Sequence, residues 1–412
     1  MGSKYCRTTK SGGMIMKKID FIQELNERIL PFWTNLLDRE NGGFYGKVDF
    51  QLNVDPNSPK GGVIGARHLW SFSGAYLLTQ AEQYLEAATH AYQFLKEKLW
   101  DHEHGGIYWL VDYKGRQIIS EKHVYAQSFA IYGLSEYAKA SGNNEALELA
   151  ITLFHMLEER CYSPENKGYN EEFTIDWKLK DNELLNEGLG TVYTTNSHLH
   201  LLEAYTNLYS VWPEKHLLKR IDHLLDLFSE KIFDRQQHFC HVAFDEKWNR
   251  TKNTFSYGHD IETSWLLTET LDVTKLDRPD VLEINKQMAI KVAEEGIAED
   301  GSIFDAKIDG MVNKTRVWWG QAEAVIGFYN AYQLTQDEKF IQFSANAWNY
   351  IKTYIHDPRP GGEWFSRIDE GGNPISSLRS KKYTTPENIS DSWKGLYHNS
   401  RMCYEMIRRL PE

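Results

Sequence analysis

The stretch His104-Gly-Gly-Ile-Tyr-Trp109 places two glycines before alternating apolar and aromatic residues, and the chain holds six copies of this pattern. The other five are Asn41-Gly-Gly-Phe-Tyr45, Asn166-Lys-Gly-Tyr169, Gln237-His-Phe239, Asp300-Gly-Ser-Ile-Phe304 and Pro360-Gly-Gly-Glu-Trp-Phe365. Successive copies lie 63, 62, 71, 63 and 60 residues apart when they are marked by Gly43, Gly106, Gly168, Phe239, Ser302 and Gly362. A nearly constant period of this size indicates a repeat architecture.

Each copy predicts a tight turn followed by a short β-hairpin. Glycine adopts turn conformations that other residues avoid, and the alternation that follows, as over 44–50 and 304–308, is typical of a strand. The fourth copy lacks the glycine and is the weakest. We therefore expect one hairpin in each repeat.

Apolar residues at helical spacing fill the segments between these hairpins, so that two helices follow each hairpin. A single helix at either end of the chain completes one further pair. The predicted helices are 19–38, 69–76, 81–99, 125–140, 145–159, 200–209, 217–232, 261–271, 281–298, 319–332, 340–354 and 397–409.

Twelve helices in six pairs predict an all-α fold, an (α/α)₆-barrel with short β-hairpins at one rim. Six repeats suffice to close a ring, and no Pro- or Ser-rich linker divides the chain. We interpret residues 1–16 as a leader or vector-derived segment and residues 17–412 as one catalytic barrel domain. An open superhelix of helix pairs is the structural alternative.

The composition excludes several classes of function. The 46 basic and 58 acidic residues give a net charge of −12, which is the wrong sign for a nucleic-acid partner. No apolar run approaches the roughly 18 residues that a membrane-spanning helix needs, so we expect no membrane partner. The four cysteines form no C-x-x-C pair, which argues against disulfides and zinc and favours a cytoplasmic protein.

Polar and aromatic residues that do not suit a helix core recur just after each hairpin. A helix that follows a hairpin enters the barrel from the hairpin rim, so its first turn lines that end of the central cavity. Several of these residues lie three or four positions apart and share one helix face. They are Arg67 and Trp70; His123 and Tyr125; Asn196 and His200; His259 and Glu262; Arg316, Trp318, Trp319 and Glu323; and Trp393, His398 and Arg401.

A purely structural interpretation exists for many of these residues. A lone histidine in a helix, such as His123 or His198, is more often a hydrogen-bonded core residue than a catalyst. Trp70, Trp265 and Trp318 lie at apolar-face spacing and suit the core as well as a sugar-stacking surface.

No metal or cofactor is expected. Asp101-His-Glu-His104 resembles a ligand cluster but falls on a hairpin turn, where it should be solvated. His238, Cys240 and His241 alternate along a predicted strand and cannot all face one ion. The sequence has no H-E-x-x-H, P-loop or dinucleotide-binding motif.

Five stretches at the helix starts resemble the N-acylglucosamine 2-epimerase superfamily and, within it, the cellobiose 2-epimerases. The similarity runs from about residue 21 to residue 409, although Gly320 and Leu396 stand where valine and proline are expected. The stretches are Arg67-His-Leu-Trp-Ser-Phe-Ser73, Thr195-Asn-Ser-His-Leu-His200, Ser256-Tyr-Gly-His-Asp-Ile-Glu262, Arg316-Val-Trp-Trp-Gly-Gln-Ala-Glu323 and Trp393-Lys-Gly-Leu-Tyr-His-Asn-Ser-Arg-Met402.

The resemblance implies a metal- and cofactor-independent 2-epimerase that interconverts glucose and mannose at the reducing end of a β-1,4-linked disaccharide such as cellobiose. With it, we assign catalytic roles to His259, His398, His200 and Glu262. The residues assigned to saccharide binding are Arg67, Tyr125, Asn196, Trp318, Trp319, Glu323 and Trp393.

The chemistry of the reaction suits these side chains. The hydrogen at C2 is acidic only when C1 is a carbonyl, so the pyranose ring must open first. Histidine donates or accepts a proton near neutral pH, so one histidine can remove the C2 proton and leave a cis-enediolate. Arg67 and His200 are candidates to stabilise its oxygen. Glu262 is expected to orient His259.

Other functions fit part of the pattern. A D-mannose 2-epimerase or an aldose-ketose isomerase shares the enediolate. A glycoside hydrolase needs two carboxylates, for which Glu262, Glu323 and Asp391 are available. A non-catalytic sugar-binding protein would keep the tryptophans but would not need His259 and His398. In every case we expect a small saccharide as ligand, and we expect a monomer or weak homo-oligomer.

Overall fold

The computed structural model describes residues 16–185, 188, 190–376 and 387–411. Most of the predicted leader, residues 1–15, lies outside the described residues. Its last residue, Met16, is buried against the barrel, and its sulfur accepts a hydrogen bond from Ser344 Oγ at 3.5 Å.

Six inner helices surround the axis of the molecule. Each packs against the next and the sixth packs against the first, so the ring of inner helices is closed. This closure confirms the (α/α)₆-barrel and excludes the open superhelix. The inner helices are Gly62–Thr79, Val124–Ser141, Thr195–Val211, Tyr257–Thr274, Trp318–Thr335 and Tyr397–Arg409.

Six outer helical segments surround this ring, each with one apolar face. In the fourth, Leu217, Ile221, Leu224 and Leu225 are buried at the i, i+4, i+7 and i+8 positions. Four of the segments contain a π-helical stretch: Glu24–Ile29 in the first, Leu95–Leu99 in the second, Phe228–Ile232 in the fourth and Ile351–Ile355 in the sixth. The α-helical parts of the six segments are Lys18–Gln23 and Leu30–Thr34, Glu82–Phe94, Asn144–Arg160, Lys215–Leu227, Pro279–Glu295, and Lys339–Tyr350.

Each repeated motif closes a tight antiparallel turn. The fourth turn has no glycine, and His238 takes a positive φ of 61° in its place. The fourth copy therefore forms the same turn as the other five. The residues paired across the six turns are Leu37 with Phe44, Trp100 with Ile107, Tyr162 with Tyr169, Phe233 with Cys240, Ile297 with Ile303, and His356 with Trp364.

Short strands tie each repeat to the next. A bridge between Val48 and Ser390 joins the sixth repeat to the first and closes this second ring. Further hairpin strands are Gln117–Ile119, Phe233–Asp234, Phe239–Cys240 and Met311–Asn313. The antiparallel pairs between repeats are Lys60–Gly61 with Leu110–Val111, Lys122–His123 with Glu172–Phe173, Tyr193–Thr194 with Ala243–Phe244, Thr254–Ser256 with Ala306–Ile308, and Arg316–Val317 with Arg367–Ile368.

Ion pairs fix the starts of three inner helices to the preceding turn, and the first two of these pairs are buried. In each pair a lysine or arginine just before the helix contacts an aspartate of the turn. Arg316 therefore has a structural role here. The pairs are Lys60 with Asp38 at 2.7 Å, Lys122 with Asp101 at 2.9 Å and Arg316 with Asp300 at 3.2 Å.

Three inner helices begin earlier than predicted, at Gly62, Thr195 and Tyr257. The helices at Thr195 and Tyr257 carry Asn196 and His259 in their first turns, and these cavity-lining polar residues break the apolar periodicity from which helices are recognised. The helix at Gly62 begins with Gly-Val-Ile-Gly, in which two poor helix formers obscure the helical pattern. None of the helices in the described part of the chain is both long and apolar enough to span a bilayer.

Candidate active site

A cavity of about 650 Å³ opens between the starts of the six inner helices. This volume lies in the range of small-molecule sites. Side chains from all six repeats line it, including ten of the eleven predicted site residues, and only Glu323 lies below its surface. The ten are Arg67, Tyr125, Asn196, His200, His259, Glu262, Trp318, Trp319, Trp393 and His398.

His398 is held from below by Glu323. Its Nδ1 lies 2.7 Å from Glu323 Oε1, and Glu323 Oε2 accepts a hydrogen bond from Trp265 Nε1 at 2.9 Å. We expected Glu323 to contact the sugar, but this carboxylate is fully buried and both its oxygens are occupied. It orients His398 instead, because a partner on Nδ1 leaves Nε2 for the cavity.

We expected Glu262 to orient His259, but Ser256 does so instead. Its Nδ1 lies 2.8 Å from Ser256 Oγ, and the same hydroxyl accepts the backbone N–H of His259 at 3.4 Å as the N-cap of the helix. The rings of His259 and His398 both contact Trp319, with ring centroids 4.7 and 5.5 Å from the indole. The two histidines thus share one aromatic neighbour at the cavity wall.

Arg401 joins three carboxylates at the floor of the cavity. Its Nη1 donates to Glu203 and to Tyr397 Oη, and its Nη2 donates to Glu262 and, at 2.7 Å, to Glu323 Oε1. Buried charges are stable only when they are paired. We refer to these five residues as the floor cluster.

His200 and Asn196 bring the third inner helix to the cavity. The Nδ1 atom of His200 lies 2.8 Å from Glu203 Oε2, which leaves Nε2 for a ligand. Asn196 presents a buried Oδ1 that has no hydrogen-bond partner among the described residues. Both side chains can therefore bind a sugar hydroxyl.

Arg67 places a positive charge on the cavity wall. Its Nη2 donates to Tyr125 Oη at 2.8 Å and its Nη1 to the carbonyl of Trp393 at 2.9 Å. The Trp393 indole is 46% exposed and packs edge-on against Trp109, with ring centroids 5.7 Å apart. An exposed indole of this kind suits the apolar face of a sugar ring.

Burial makes both histidines neutral at pH 7. Burial, with a smaller effect of His200, lowers the pKa of His259 to about 3. Burial and the charge of Arg401 lower the pKa of His398 well below its usual value. Each histidine can therefore accept a proton, since its unprotonated form is the one present.

The carboxylates of the floor cluster differ in charge. Burial and the neighbouring Glu323 raise the pKa of Glu262 to about 7, and burial also raises the pKa of Glu323. Burial alone would raise the pKa of Glu203, but Arg401 and His200 outweigh it and bring this pKa to about 2. Glu203 is therefore ionised throughout the working range of pH.

Glu262, Glu323 and His398 form the one group of possible metal ligands that the described part of the chain contains, with ligand atoms within 4.8 Å of one another. Arg401 already contacts both carboxylates, so its guanidinium supplies the positive charge that a cation would bring. A second cation there would meet strong repulsion in a buried site. The two lookalike groups around 101–104 and 238–241 do not converge in this way.

A second cavity of about 590 Å³ adjoins the first and shares Asn196, His259 and Trp319 with it. Its wall includes polar side chains such as Asn253 and Asp305. Two adjoining cavities suit a ligand of more than one sugar ring.

Several candidates have structural roles, as their alternative interpretation predicted. His198 bonds the carbonyl of Thr194 at 2.8 Å through Nδ1 and accepts a backbone N–H at 3.2 Å through Nε2. His123 Nδ1 accepts a backbone N–H at 3.1 Å. Trp70 stacks on Tyr132, with ring centroids 4.9 Å apart.

Sequence reasoning missed part of the site. Glu203 lies three residues after His200, and Tyr397 lies four before Arg401, spacings that put each pair on one helix face. Those spacings were the available signal. The site residues that sequence patterns did not reveal are Ser256, Glu203, Tyr397 and Trp109, and Arg401 was recognised as a cavity candidate without a role.

Comparison with known proteins establishes the family. The family model for N-acylglucosamine 2-epimerase (GlcNAc 2-epimerase) matches residues 43–385. The cellobiose 2-epimerase of Dictyoglomus turgidum is 42% identical over 397 residues, which cover 95% of this chain and 98% of the relative. The cellobiose 2-epimerase of Ruminococcus albus is 40% identical over 391 residues, which cover 94% and 97%.

A solved structure gives the same result. The cellobiose 2-epimerase from Bacillus thermoamylovorans superposes with a TM-score of 0.91 at 44% identity, and the match covers 95% of this chain and 99% of that one. The family model and these relatives extend over most of the sequence. This chain therefore belongs to the N-acylglucosamine 2-epimerase family.

Proposed function

We propose that this chain is a cellobiose 2-epimerase, which interconverts glucose and mannose at the reducing end of a β-1,4-linked disaccharide. The observation that carries the proposal is the pair His259 and His398, two neutral histidines that contact Trp319 and open on one cavity. The similarity to cellobiose 2-epimerases over nearly the whole chain supports it.

The reaction begins with ring opening, in which O1 loses a proton, O5 gains one and C1 becomes a carbonyl. One of the two histidines then takes the C2 proton at Nε2. The electron pair of the broken C–H bond forms the C1–C2 double bond, and the negative charge moves to O1 of a cis-enediolate. Neutral imidazole suits this step because it accepts a proton and can return one.

The cavity wall offers two groups that can stabilise the enediolate. Arg67 is a fixed donor, and His200 becomes a donor at Nε2 once that nitrogen has taken the O1 proton in ring opening, since its own proton lies on Nδ1. Positioned donors of this kind stabilise a developing oxyanion strongly. Inversion follows when the intermediate rotates about C2–C3 and the first histidine, which now carries the C2 proton, returns it to the other face. In the alternative route the other histidine first takes up a proton at Nε2 from solvent and delivers it to C2 on the opposite face, and the first histidine then releases the proton that it removed. Saccharide binding falls to Tyr125, Asn196, Trp318, Trp319 and Trp393.

A glycoside hydrolase is disfavoured by the positions of the carboxylates. Glu262 and Glu323 both contact the same Nη2 of Arg401, so they do not stand on two sides of a scissile bond. The third candidate carboxylate, Asp391, is engaged in its own loop, because its side chain accepts the backbone N–H groups of Trp393 and Lys394 at 2.8 and 2.9 Å.

We further infer that the barrel over 17–412 is the catalytic unit, acting in the cytoplasm as a monomer or weak homo-oligomer. The cavity is lined from all six repeats of a single chain, so no second copy is needed to complete it. Cys161, Cys240 and Cys403 are free and buried, as expected where thiols stay reduced.

The test is incubation with cellobiose, and separately with mannose, in D₂O, followed by NMR of the products. Glucosyl-mannose with deuterium at C2 is the expected product from cellobiose. Reaction of mannose alone would move the assignment to a D-mannose 2-epimerase or aldose-ketose isomerase. Free glucose from cellobiose would indicate a hydrolase and contradict the proposal.

A further inference from the structure

We propose that Glu203 is a positioning residue for the epimerase reaction, which fixes His200 so that its Nε2 faces the sugar oxygen at C1. This inference rests on the proposed function and extends it to a residue outside the cavity surface. Glu203 lies one helical turn beyond His200 on the third inner helix, and its side chain is only 3% exposed.

Three groups hold the Glu203 carboxylate in place. Tyr397 Oη lies 2.6 and 2.7 Å from its two oxygens, Arg401 Nη1 donates to Oε1, and His200 Nδ1 lies 2.8 Å from Oε2. Tyr397 and Arg401 belong to the sixth inner helix, which also carries His398. The carboxylate therefore fixes the His200 ring relative to a catalytic histidine on another helix.

The charge of Glu203 determines what it can do. Because this carboxylate stays ionised, it always accepts the Nδ1 proton of His200 and never competes as a donor. A negative group beside Nδ1 stabilises positive charge on the imidazole ring. His200 can thus share a proton with O1 through Nε2 as the enediolate charge develops.

The three histidines of the cavity differ in this respect. His259 has a neutral hydroxyl on Nδ1, and His398 has Glu323, whose pKa is raised by burial. Only His200 is paired with a carboxylate of depressed pKa. This difference suits His200 to stabilising an anion and the other two to moving the C2 proton.

The experiment compares Glu203→Gln with a matched control, Glu405→Gln. Glu405 is also a buried glutamate, 7% exposed, and pairs with Arg408 and Arg409 at 2.9 and 3.1 Å, but it touches none of the three cavity histidines. We would measure kcat and KM for cellobiose, and record NMR spectra of protein labelled with ¹⁵N-histidine. The downfield Nδ1–H signal of His200 is assigned by its loss in His200→Asn.

Glu203→Gln is expected to lower kcat about 10- to 100-fold, as loss of a hydrogen-bonded support residue typically does, with KM changed less than about threefold. The His200 Nδ1–H signal should shift upfield or disappear, and Glu405→Gln should retain both kcat and the signal. A Glu203→Gln enzyme with normal kcat overturns the proposal, and so does an equal loss of kcat in both variants.

If Glu203→Gln does not fold, Glu203→Asp keeps the charge but withdraws it from Nδ1, and the same loss of kcat is expected. A normal kcat in Glu203→Asp, with the Nδ1–H signal lost, would overturn the proposal. If the wild-type protein does not epimerise cellobiose, the proposed function fails. The NMR comparison then still shows whether Glu203 holds His200.

Discussion

Each histidine of the cavity has its Nδ1 engaged by a group of the barrel, which leaves Nε2 as the nitrogen that can meet the sugar. Histidine has two distinct ring nitrogens, and the partner of one decides the proton state of the other. The carboxylates beside His200 and His398 therefore hold the proton of each ring on Nδ1, whereas the Ser256 hydroxyl can either donate to His259 Nδ1 or accept from it. The partners are Ser256 for His259, Glu203 for His200 and Glu323 for His398.

The substitutions His259→Asn and His398→Asn are each expected to reduce turnover of cellobiose by at least about 100-fold, the usual contribution of a general acid or base. Asparagine is smaller and polar, so the circular dichroism spectrum should remain that of the wild type. The exposed His102 provides the control, and His102→Asn should keep full activity. The test is the initial rate of cellobiose conversion, measured by chromatography for the three variants and the wild type. Retained turnover in either cavity variant would refute the two-histidine mechanism.

Chelation is expected to leave the activity unchanged, because Arg401 already balances Glu262 and Glu323. Dialysis against EDTA should not alter the initial rate, and added Mg²⁺ or Zn²⁺ should not raise it. A rate that falls on chelation and recovers with one metal would show that the three-residue group around His398 binds that metal.

The sequence identified the residues of this site that touch the cavity better than those that support them. His259 and His398 stand out because histidine is unusual in the first turn of a buried helix. Glu203 and Arg401 contact each other although 198 residues separate them, and no local spacing reveals such a pair. The expected partner of His259, Glu262, has the right helical spacing, yet Arg401 takes that carboxylate.

The starts of the inner helices carry most of the side chains that line the cavity. The N-cap hydroxyls of Thr194 and Ser256 accept backbone N–H groups three residues later, which stabilises the first turn. In the fourth inner helix the cap and the support of His259 are one hydroxyl. A change in that cap therefore affects both stability and catalysis.

Ser256→Ala is expected to cost about 1 kcal/mol of stability, as the loss of an N-cap does, and to lower kcat as well. The control is Asn143→Ala. Asn143 is the N-cap of an outer helix, where its Oδ1 accepts the backbone N–H of Ala146 at 3.0 Å, and it contacts none of the cavity histidines. It should lose a similar stability and keep kcat. Urea unfolding and steady-state rates on both variants test this, and equal activities in the two would show that Ser256 acts only as a cap.

The elements could be predicted wherever a pattern is local. Glycine marks five of the six turns in the sequence, although in the third turn Lys167, and not Gly168, adopts the left-handed conformation. The fourth turn is disguised because His238 adopts that conformation and no glycine lies beside it. The outer helices were recognisable by one apolar face, as in the Leu217 to Leu225 segment. The inner helices are buried on most sides, so they lack the contrast that would mark their first turns.

The barrel buries two sets of titratable groups, and these have opposite effects on how its stability changes with pH. Burial raises the pKa of Glu171 and Asp260 to about 8 and of Glu262 and Glu269 to about 7. Burial also lowers the pKa of four histidines to about 3 or 4, as in His68, His123, His198 and His259. Both sets shift the proton uptake of the folded state relative to the unfolded state.

The free energy of unfolding is expected to fall between about pH 6.5 and pH 8. In that range the folded protein holds protons on the raised acids that the unfolded chain has lost, so stability decreases as pH rises. Below pH 6.5 the unfolded chain gains protons on histidines that stay neutral in the fold, which opposes this trend. Urea unfolding at constant ionic strength over pH 5.5 to 8.5 tests the prediction, and a steady rise through pH 8 would contradict it.

The closed architecture was predictable from the period of the repeats, because six similar units of about 60 residues fill a ring. The bridge between Val48 and Ser390 is the physical form of that closure. The period of the repeats does not predict which side chains contact one another across the ring. Those contacts depend on the rotation of each inner helix, and the sequence pattern of a fully buried helix leaves that rotation open.

The bridge between Val48 and Ser390 joins the first repeat to the sixth, so these two repeats are neighbours in space although they lie at opposite ends of the chain. The first outer helix packs against the last inner helix, so the barrel has a seam of the same kind between every pair of repeats. A circular permutant that linked the two ends and opened the chain at another seam would keep each histidine beside the same neighbours. The catalytic arrangement thus depends on the closed ring of repeats and not on the repeat at which the chain begins. A chain opened at any of the six junctions between repeats would form the same arrangement.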